Sequence, residues 1–395
     1  MLVVADTFAP DINGAVTFTV NLVKGLLERG HDVQVAAPST SNKLTGKQIE
    51  THDGATFPVW RIYSWRWYPQ PWLRFALPWR IRQNAAKILD EVKPDVVHFQ
   101  SHIITGRGFS IGARARGIRL IGTNHFMPEN LLEYTLIPKP LQRRAIKLAW
   151  DAAARSYARA DAVTTPTRKA AEFLENNTSV RPVLAISNAV NTHEYTPDMT
   201  EKQENLILFV GRVVHEKQID KLLRAYAILD PKLNAKLEIV GFGDQEHPLA
   251  NLAKSLGIAD RVHFAGQVTD DEKKDALHRA KVFAMPSIAE LQSIATLEAM
   301  SSGLPIVAAD AMALPHLVHE GENGYLFKAG DVDEFAAKLT KVLEMPHAEL
   351  LKLKEESLRI AVTHDIETTL DTFESLYRGE PVDVAAMTGT ATAAD

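Results

Sequence analysis

VFAMPSIAELQSIATLEAMSSGLPIVAA, residues 282–309, reads as strand, loop, helix, turn and strand. VFAM and IVAA are short apolar runs without an alternating polar face, the pattern of strands covered on both sides. Gly303-Leu304-Pro305 leads from the helix into the second run. A strand–helix–strand unit implies parallel strands with a right-handed crossover. Within it, Glu290 precedes the helix, in a loop that continues through Leu291, Gln292 and Ser293, and Glu298 lies on the helix. A helix start offers free amides to a phosphate, Glu290 can accept hydrogen bonds from sugar hydroxyls, and Glu298 can bind a ribose. The competing reading is one surface glutamate and one satisfied helical glutamate.

The same alternation runs outward in both directions. Apolar runs occur at Leu2–Ala5, Val33–Ala37, Val96–Phe99, Leu120–Thr123, Ala162–Thr164 and Val183–Ile186. A second set lies at Leu206–Val210, Leu237–Val240, Val262–Phe264, Val282–Met285, Ile306–Ala309 and Tyr325–Phe327. Twelve runs exceed one ordinary doubly wound sheet, so two sheets of about six strands are expected. The 395 residues agree with two or three domains. The boundary is placed in the polar stretch 188–204, giving domains 1–188 and 189–364, a final helix over 365–379 and an unstructured tail over 380–395.

Composition narrows the function. The absence of cysteine excludes disulfides, thiolate zinc sites, iron–sulfur clusters and a cysteine nucleophile. No apolar run reaches the ~18 residues that span a bilayer. The opening MLVVADTFAP lacks a basic region before an apolar stretch, so no signal peptide is expected. It begins inside a strand, which points to missing upstream residues or a misassigned start. Residues 1–180 hold 23 Lys+Arg against 15 Asp+Glu, and residues 181–395 hold 21 against 34. A basic half beside an acidic half suggests that the first meets something anionic.

Four further stretches bear on chemistry. PDINGAVTF (10–18) follows the first strand, and Gly14 beside Asn13 lets backbone amides approach a ligand or simply turns the chain into a helix. GRVVHEKQID (211–220) follows another strand; Arg212 and Lys217 suit a diphosphate, or form a solvated basic loop with Glu216. In GTNHFMPEN (122–130), His125 stands past a strand end, where it either polarises a ligand group or packs as an ordinary imidazole. The run 60–82 interleaves Trp60, Trp65, Trp67, Trp72 and Trp79 with five arginines, and 139–150 adds Arg143, Arg144, Lys147 and Trp150. Such a mixture fits an anionic membrane surface, RNA, or an aromatic core with snorkelling arginines. No HExxH or P-loop is present, so metal dependence and NTP hydrolysis lack support.

In this order the motifs PDINGAV, TNHFMPEN, SNAVN, GRVVHEK, ELQSIATLEAMSSGLP and EGENGYLF resemble glycosyltransferase family 4. The resemblance implies an α/β GT-B fold: two Rossmann-like doubly wound domains facing a central cleft, with a nucleotide-sugar donor on the C-terminal domain. It implies that Arg212 and Lys217 bind the diphosphate, Glu290 the donor sugar and Glu298 the ribose, with His125 at the donor sugar and Gly14 near phosphate and acceptor. It further implies a retaining, metal-independent hexosyltransferase without cofactor. Three positions depart from the family: Ala189, Gln218 and Ala15 stand where glycine is usual. The basic, Trp-rich first half looks most like bacterial enzymes that glycosylate membrane lipids, with GDP-mannose and a phosphatidylinositol mannoside or glycosyl-diacylglycerol favoured and UDP-glucose with diacylglycerol as the alternative. Trp67, Trp72, Arg143, Arg144 and Lys147, with Asn13, are expected on the acceptor and membrane side. The expected location is cytoplasmic, at the inner face of the plasma membrane, with no nucleic-acid partner. An epimerase, a phosphorylase or a non-catalytic membrane or RNA adaptor remain as other classes.

Overall fold

The structure, a computed structural model, describes all residues except Ile12, 68–69, 130–134, 136 and 383–395, and the side chains of 70–73. The Trp72 indole and most of the expected tail lie outside the described residues. The chain divides into two units: Met1–Asn188 with the segment from Ile366 onward, and Ala189–Asp365.

Unit 1 contains the strands β1 (Leu2–Val4), β2 (Gln34–Pro38), β3 (Gly46–His52), β4 (Ala55–Ile62), β5 (Ser64–Trp67) and β6 (Gln70–Ala76), then β7 (Val96–Phe99), β8 (Arg119–Thr123), β9 (Ala162–Thr165) and β10 (Leu184–Ala185). Its helices are α1 (Gly14–Glu28), α2 (Ile81–Val92), α3 (Thr105–Ala115), α4 (Lys139–Tyr157) and α5 (Arg168–Asn177). Eight strands form one sheet in the order β10-β9-β8-β7-β1-β2-β4-β3, parallel except at β3. The winding reverses between β1 and β7, where ligands collect beyond the carboxyl ends of strands in open α/β sheets.

Unit 2 contains β11 (Leu206–Val210), β12 (Lys236–Val240), β13 (Val262–Gly266), β14 (Val282–Met285), β15 (Ile306–Asp310) and β16 (Gly324–Lys328). Its helices are α6 (Ile219–Ala227), α7 (Glu246–Ser255), α8 (Asp270–Arg279), α9 (Ile294–Ser301), α10 (Leu314–Leu317), α11 (Val332–Leu343) and α12 (His347–Val362). The sheet is wholly parallel, ordered β13-β12-β11-β14-β15-β16, and reverses between β11 and β14. All twelve apolar runs are strands, and nearly all their apolar side chains are buried.

Four strands went unpredicted, so the sheets hold eight and six strands, with β5–β6 as a separate hairpin. β3, GKQIETH, is a polar edge strand with alternating exposure and carries no apolar run. Its signal was the turn: Asp53 and Gly54 both have positive φ (46° and 80°) between the paired His52 and Ala55, the requirement of a two-residue hairpin. The tryptophan-rich run is likewise divided. Trp60 is buried in β4 and donates to Gln34, while Arg61 is buried and held by Glu50 and the carbonyls of Pro38 and Ala9. Trp150 is also core, donating to Glu129. Trp65 and Trp79 are exposed.

The helix α13 (Ile366–Arg378) belongs to unit 1. Leu370, Phe373, Leu376 and Tyr377 are buried, and burying each such side chain contributes roughly 1.5–3 kcal/mol. Leu370 lies against Gly25 of α1, where a Cβ would stand 2.4 Å from its Cδ1. Arg29 gathers Glu367, Asp371 and Glu374 at 2.5, 2.7 and 3.3 Å.

Beyond the strand ends of unit 2, the loops zip together. Gly211 donates to Val240, Val213 to Phe242, and Gly241 to Gly266. Gly241 has φ 133°, and a Cβ there would stand 1.9 Å from the Gly211 carbonyl oxygen. Gly241→Ala is therefore expected to destabilise unit 2 by about 3 kcal/mol, read as a lower urea midpoint by circular dichroism; an unchanged midpoint would refute the close approach.

Candidate functional site

In unit 2 the loops after β11 and β14, at the point where the winding reverses, carry the predicted ligands. After Gly211 a single tight turn spans His215–Lys217. Gln218 closes it at φ 51° and opens α6. The second loop is tied to the first by the Ile288 amide, which donates to the Glu216 carbonyl at 3.1 Å. This brings the Lys217 ammonium into direct hydrogen-bonded contact with the Glu290 carboxylate, both side chains being largely buried. Arg212 is turned to Glu216 at 2.9 Å.

Glu298 sits on α9, held at 2.8 Å by Lys273 of α8. Burial opposes the charge of Lys273, but Glu298 and Asp270 outweigh it and hold its pKa above the ordinary lysine value. The Tyr195 hydroxyl also bonds to Glu298; burial first, then that carboxylate, raise its pKa, so it remains a donor. Ser293 caps α9, accepting from the Thr296 amide and hydroxyl at 3.3 and 2.8 Å. Gln292 and Ser293 are buried and Leu291 is half-buried. Sequence reasoning missed Lys273, Tyr195 and the Gly241–Gly243 loop; Val240-Gly-Phe-Gly-Asp244 at a strand end was the available signal for the last.

The departures from glycine now have a physical account. Gln218 (φ 51°) and Ala189 (φ 58°) occupy left-handed backbone, which costs a side-chain-bearing residue roughly 1–2 kcal/mol. Ala15 lies inside α1 and carries no such demand.

Unit 1 places Gly14 at the first position of α1, and Asn13 caps that helix, accepting from the Val16 amide at 3.0 Å. His125 follows β8, bonded to Gln100 at 2.9 Å and facing Phe18. At the sheet's reversal the start of α3 is already occupied. The buried Asp6 carboxylate takes hydrogen bonds from the amides of Ile103, Ile104, Thr105 and Gly106 and from the Ser101 hydroxyl. An anion has no place at a helix start that a carboxylate fills. On α4, Arg143, Arg144 and Lys147 are exposed, and Trp67 is half-buried against Phe75.

Among the described residues, one group of side chains could gather round a cation: His319, Glu322 and Glu356. They lie on other segments of unit 2 than these loops, and Arg359 already engages both Glu356 oxygens at 2.7 and 2.5 Å.

Comparison with known proteins gives two family matches: "Glycosyltransferase Family 4" over residues 12–194 and "Glycosyl transferases group 1" over 195–358. Among curated proteins, the sulfoquinovosyl transferase SQD2 of Arabidopsis thaliana is 26% identical over 349 residues, covering 82% of this chain and 62% of that protein. An MMP α-(1→4)-mannosyltransferase of Mycolicibacterium hassiacum is 35% identical over 174 residues, 44% of this chain and 42% of that one. The chain thus spans less than two thirds of the length of these relatives. Among solved structures, Anabaena HepE in complex with UDP-glucose aligns over 96% of this chain and all of that one, with TM-score 0.73 and 18% identity.

The histidines of unit 1 generate a pH prediction. Burial lowers His125 to about 3, and burial with the neighbouring His125 lowers His98 to about 3. His98 bridges the Tyr377 and Thr123 hydroxyls at 2.8 and 2.6 Å. An unfolded imidazole protonates near 6.5. Between these values the unfolded chain binds more protons, so stability is fully present above about pH 6.5 and falls toward pH 3, by up to about 1.4 kcal/mol per pH unit per group. All six tryptophans lie in residues 60–150, so urea titration by indole fluorescence reads unit 1. The midpoint should drop on acidification and the slope flatten in His98→Gln; an identical slope would remove the assignment.

Proposed function

The chain belongs to the glycosyltransferases of GT-B fold, a family 4 domain followed by a group 1 domain, and on that premise we propose that it moves a hexose, with retention, from a nucleotide sugar to a hydroxyl of a membrane lipid. The observation that carries this reading is the contact of Lys217 with Glu290 at the reversal point of the unit 2 sheet. Lys217 and Arg212 supply positive charge for a diphosphate, and the start of α9, capped by a neutral serine, leaves its dipole open to an anion. The corresponding helix start in unit 1 is closed by Asp6. This contrast favours unit 2 as the donor side.

In the mechanism, the incoming diphosphate draws Lys217 from Glu290. The freed carboxylate then accepts hydrogen bonds from sugar hydroxyls, and Glu298, positioned by Lys273 and Tyr195, accepts those of the ribose. The anomeric carbon–oxygen bond to the diphosphate breaks as charge develops on the leaving oxygen, and Lys217, Arg212 and the α9 amides stabilise it. The acceptor hydroxyl bonds to the same face of the anomeric carbon and passes its proton to the departing diphosphate. His125 of unit 1, which burial keeps neutral, can offer a hydrogen bond to a sugar hydroxyl.

Mannose from GDP-mannose is the favoured donor, a choice supported by the mannosyltransferase relative. UDP-glucose is the second reading, favoured by the UDP-glucose complex of HepE. The lipid acceptor lies at an anionic membrane surface, on the cytoplasmic face, with exposed Leu141, Arg143, Arg144, Lys147 and Leu148 of α4 as contacts. No described helix is long and apolar enough to cross a membrane.

Lys217→Ala should lower kcat about 10²–10³-fold with the circular dichroism spectrum retained; near-normal turnover would remove the charge stabilisation. Turnover should also survive EDTA, and a loss restored by Mg²⁺ would reveal a metal role. A thermal-shift panel of nucleotide sugars decides between the donors.

A further inference from the structure

The sequence TGRGFSIGA, residues 105–113, places Gly108 and Gly112 four positions apart on α3. Residues so spaced share one helix face. A Cβ at Gly108 would lie 2.5 Å from Ile81 Cγ1, and one at Gly112 would lie 2.8 Å from Leu89 Cδ1. The two glycines therefore seat α2 against α3 at close range. Arg82 follows Ile81 and Arg107 precedes Gly108, so this seating brings the two guanidiniums to one edge. The last turn of α4 is fixed beside them, because Tyr157 stacks on Phe99 and bonds to Asn124. Arg155 and Arg159 flank Tyr157.

Arginines from three helices, and Arg159 just past the end of the third, thus converge. Arg159 is half-buried, and burial together with Arg107, Arg82 and Arg155 lowers its proton affinity, which places all four within electrostatic reach. Arg82, Arg107 and Arg155 are exposed. None of the four forms an ion pair among the described residues, although Arg114 of the same α3 and Arg116 just past its end pair with Asp161 and Asp90 at 3.2 and 2.8 Å. Uncompensated arginines held together cost stability, and a layer of phosphates would offset their charge. Trp79, 74% exposed, stands three residues before Arg82. An exposed indole close in sequence to a cluster of unpaired arginines matches a bilayer surface better than an acidic protein face.

We propose that Arg82, Arg107, Arg155 and Arg159, with Trp79, form a second docking face of unit 1 whose occupant is the phosphate layer of an anionic bilayer. It rests on the membrane reading above but uses residues outside the Arg143–Lys147 segment.

The test is flotation of the full chain with phosphatidylcholine–phosphatidylglycerol vesicles and with phosphatidylcholine vesicles alone. The wild type should float only with the anionic vesicles. Arg82→Ala/Arg107→Ala and Arg155→Ala/Arg159→Ala should each weaken partitioning roughly tenfold or more, with nucleotide-sugar binding unchanged. Arg155→Lys/Arg159→Lys should retain it, since charge carries the contact. If the wild type ignores anionic vesicles, the membrane reading falls and this face with it. Full binding by both alanine pairs, with loss only in Arg143→Ala/Arg144→Ala, overturns this face and leaves that reading standing. Loss of RNA retention in the same variants at matched salt, without loss of flotation, assigns the face to another polyanion and overturns the bilayer as occupant.

Discussion

Lys217 and Glu290 are held in contact where the second sheet changes winding direction, and the proposed chemistry of that unit depends on this pair. It is one of three cation–carboxylate couples there: Arg212 with Glu216, Lys217 with Glu290, and Lys273 with Glu298. Each buried charge needs a partner, because an unpaired one costs several kcal/mol. In the proposed reaction a dianionic ligand would upset this balance and release a carboxylate for neutral hydroxyl partners. The backbone enforces the arrangement, since the Ile288 amide fastens one loop to the other.

The two units share a winding scheme and differ in how they treat helix starts. In unit 1 a carboxylate from the β1 end satisfies the amides that open α3. In unit 2 the corresponding helix is capped by a hydroxyl, which leaves positive potential outward. The helix start at the reversal point is thus filled by a carboxylate from a neighbouring strand end in one unit and capped only by a neutral hydroxyl in the other. His98 of unit 1 lies buried between two hydroxyls, and its burial keeps the ring neutral.

Much of the fold could be read in advance because buried parallel strands leave continuous apolar runs, and all twelve such runs became strands. The hairpin β3–β4 escaped because an edge strand needs only one apolar face, and its Asp53-Gly54 turn was passed over. The division of the tryptophan-rich stretch was unreadable for another reason. Trp60 and Arg61 are core because Gln34, Glu50 and two carbonyls from distant segments receive them, and no local pattern encodes those partners. The same holds for Lys273 and Tyr195, which reach Glu298 from segments 25 or more residues away. Glu290, Glu298, Arg212 and Lys217 could be named beforehand because they cluster at strand ends in short, ordered motifs.

The helix Ile366–Arg378 closes the first unit from the far end of the chain. On a ribosome, the 177 residues of Ala189–Asp365 emerge before it, so the second unit has its whole sequence available while the first still lacks a wall. Phe18, Gly25, His98 and Arg119 then lack their partners on this helix until it too has been made. Nascent chains of this architecture therefore present an unfinished amino-terminal body to chaperones and proteases for the time needed to synthesise an entire second domain. A stop codon falling after Asp365 but before this helix would strike that earlier-made half hardest.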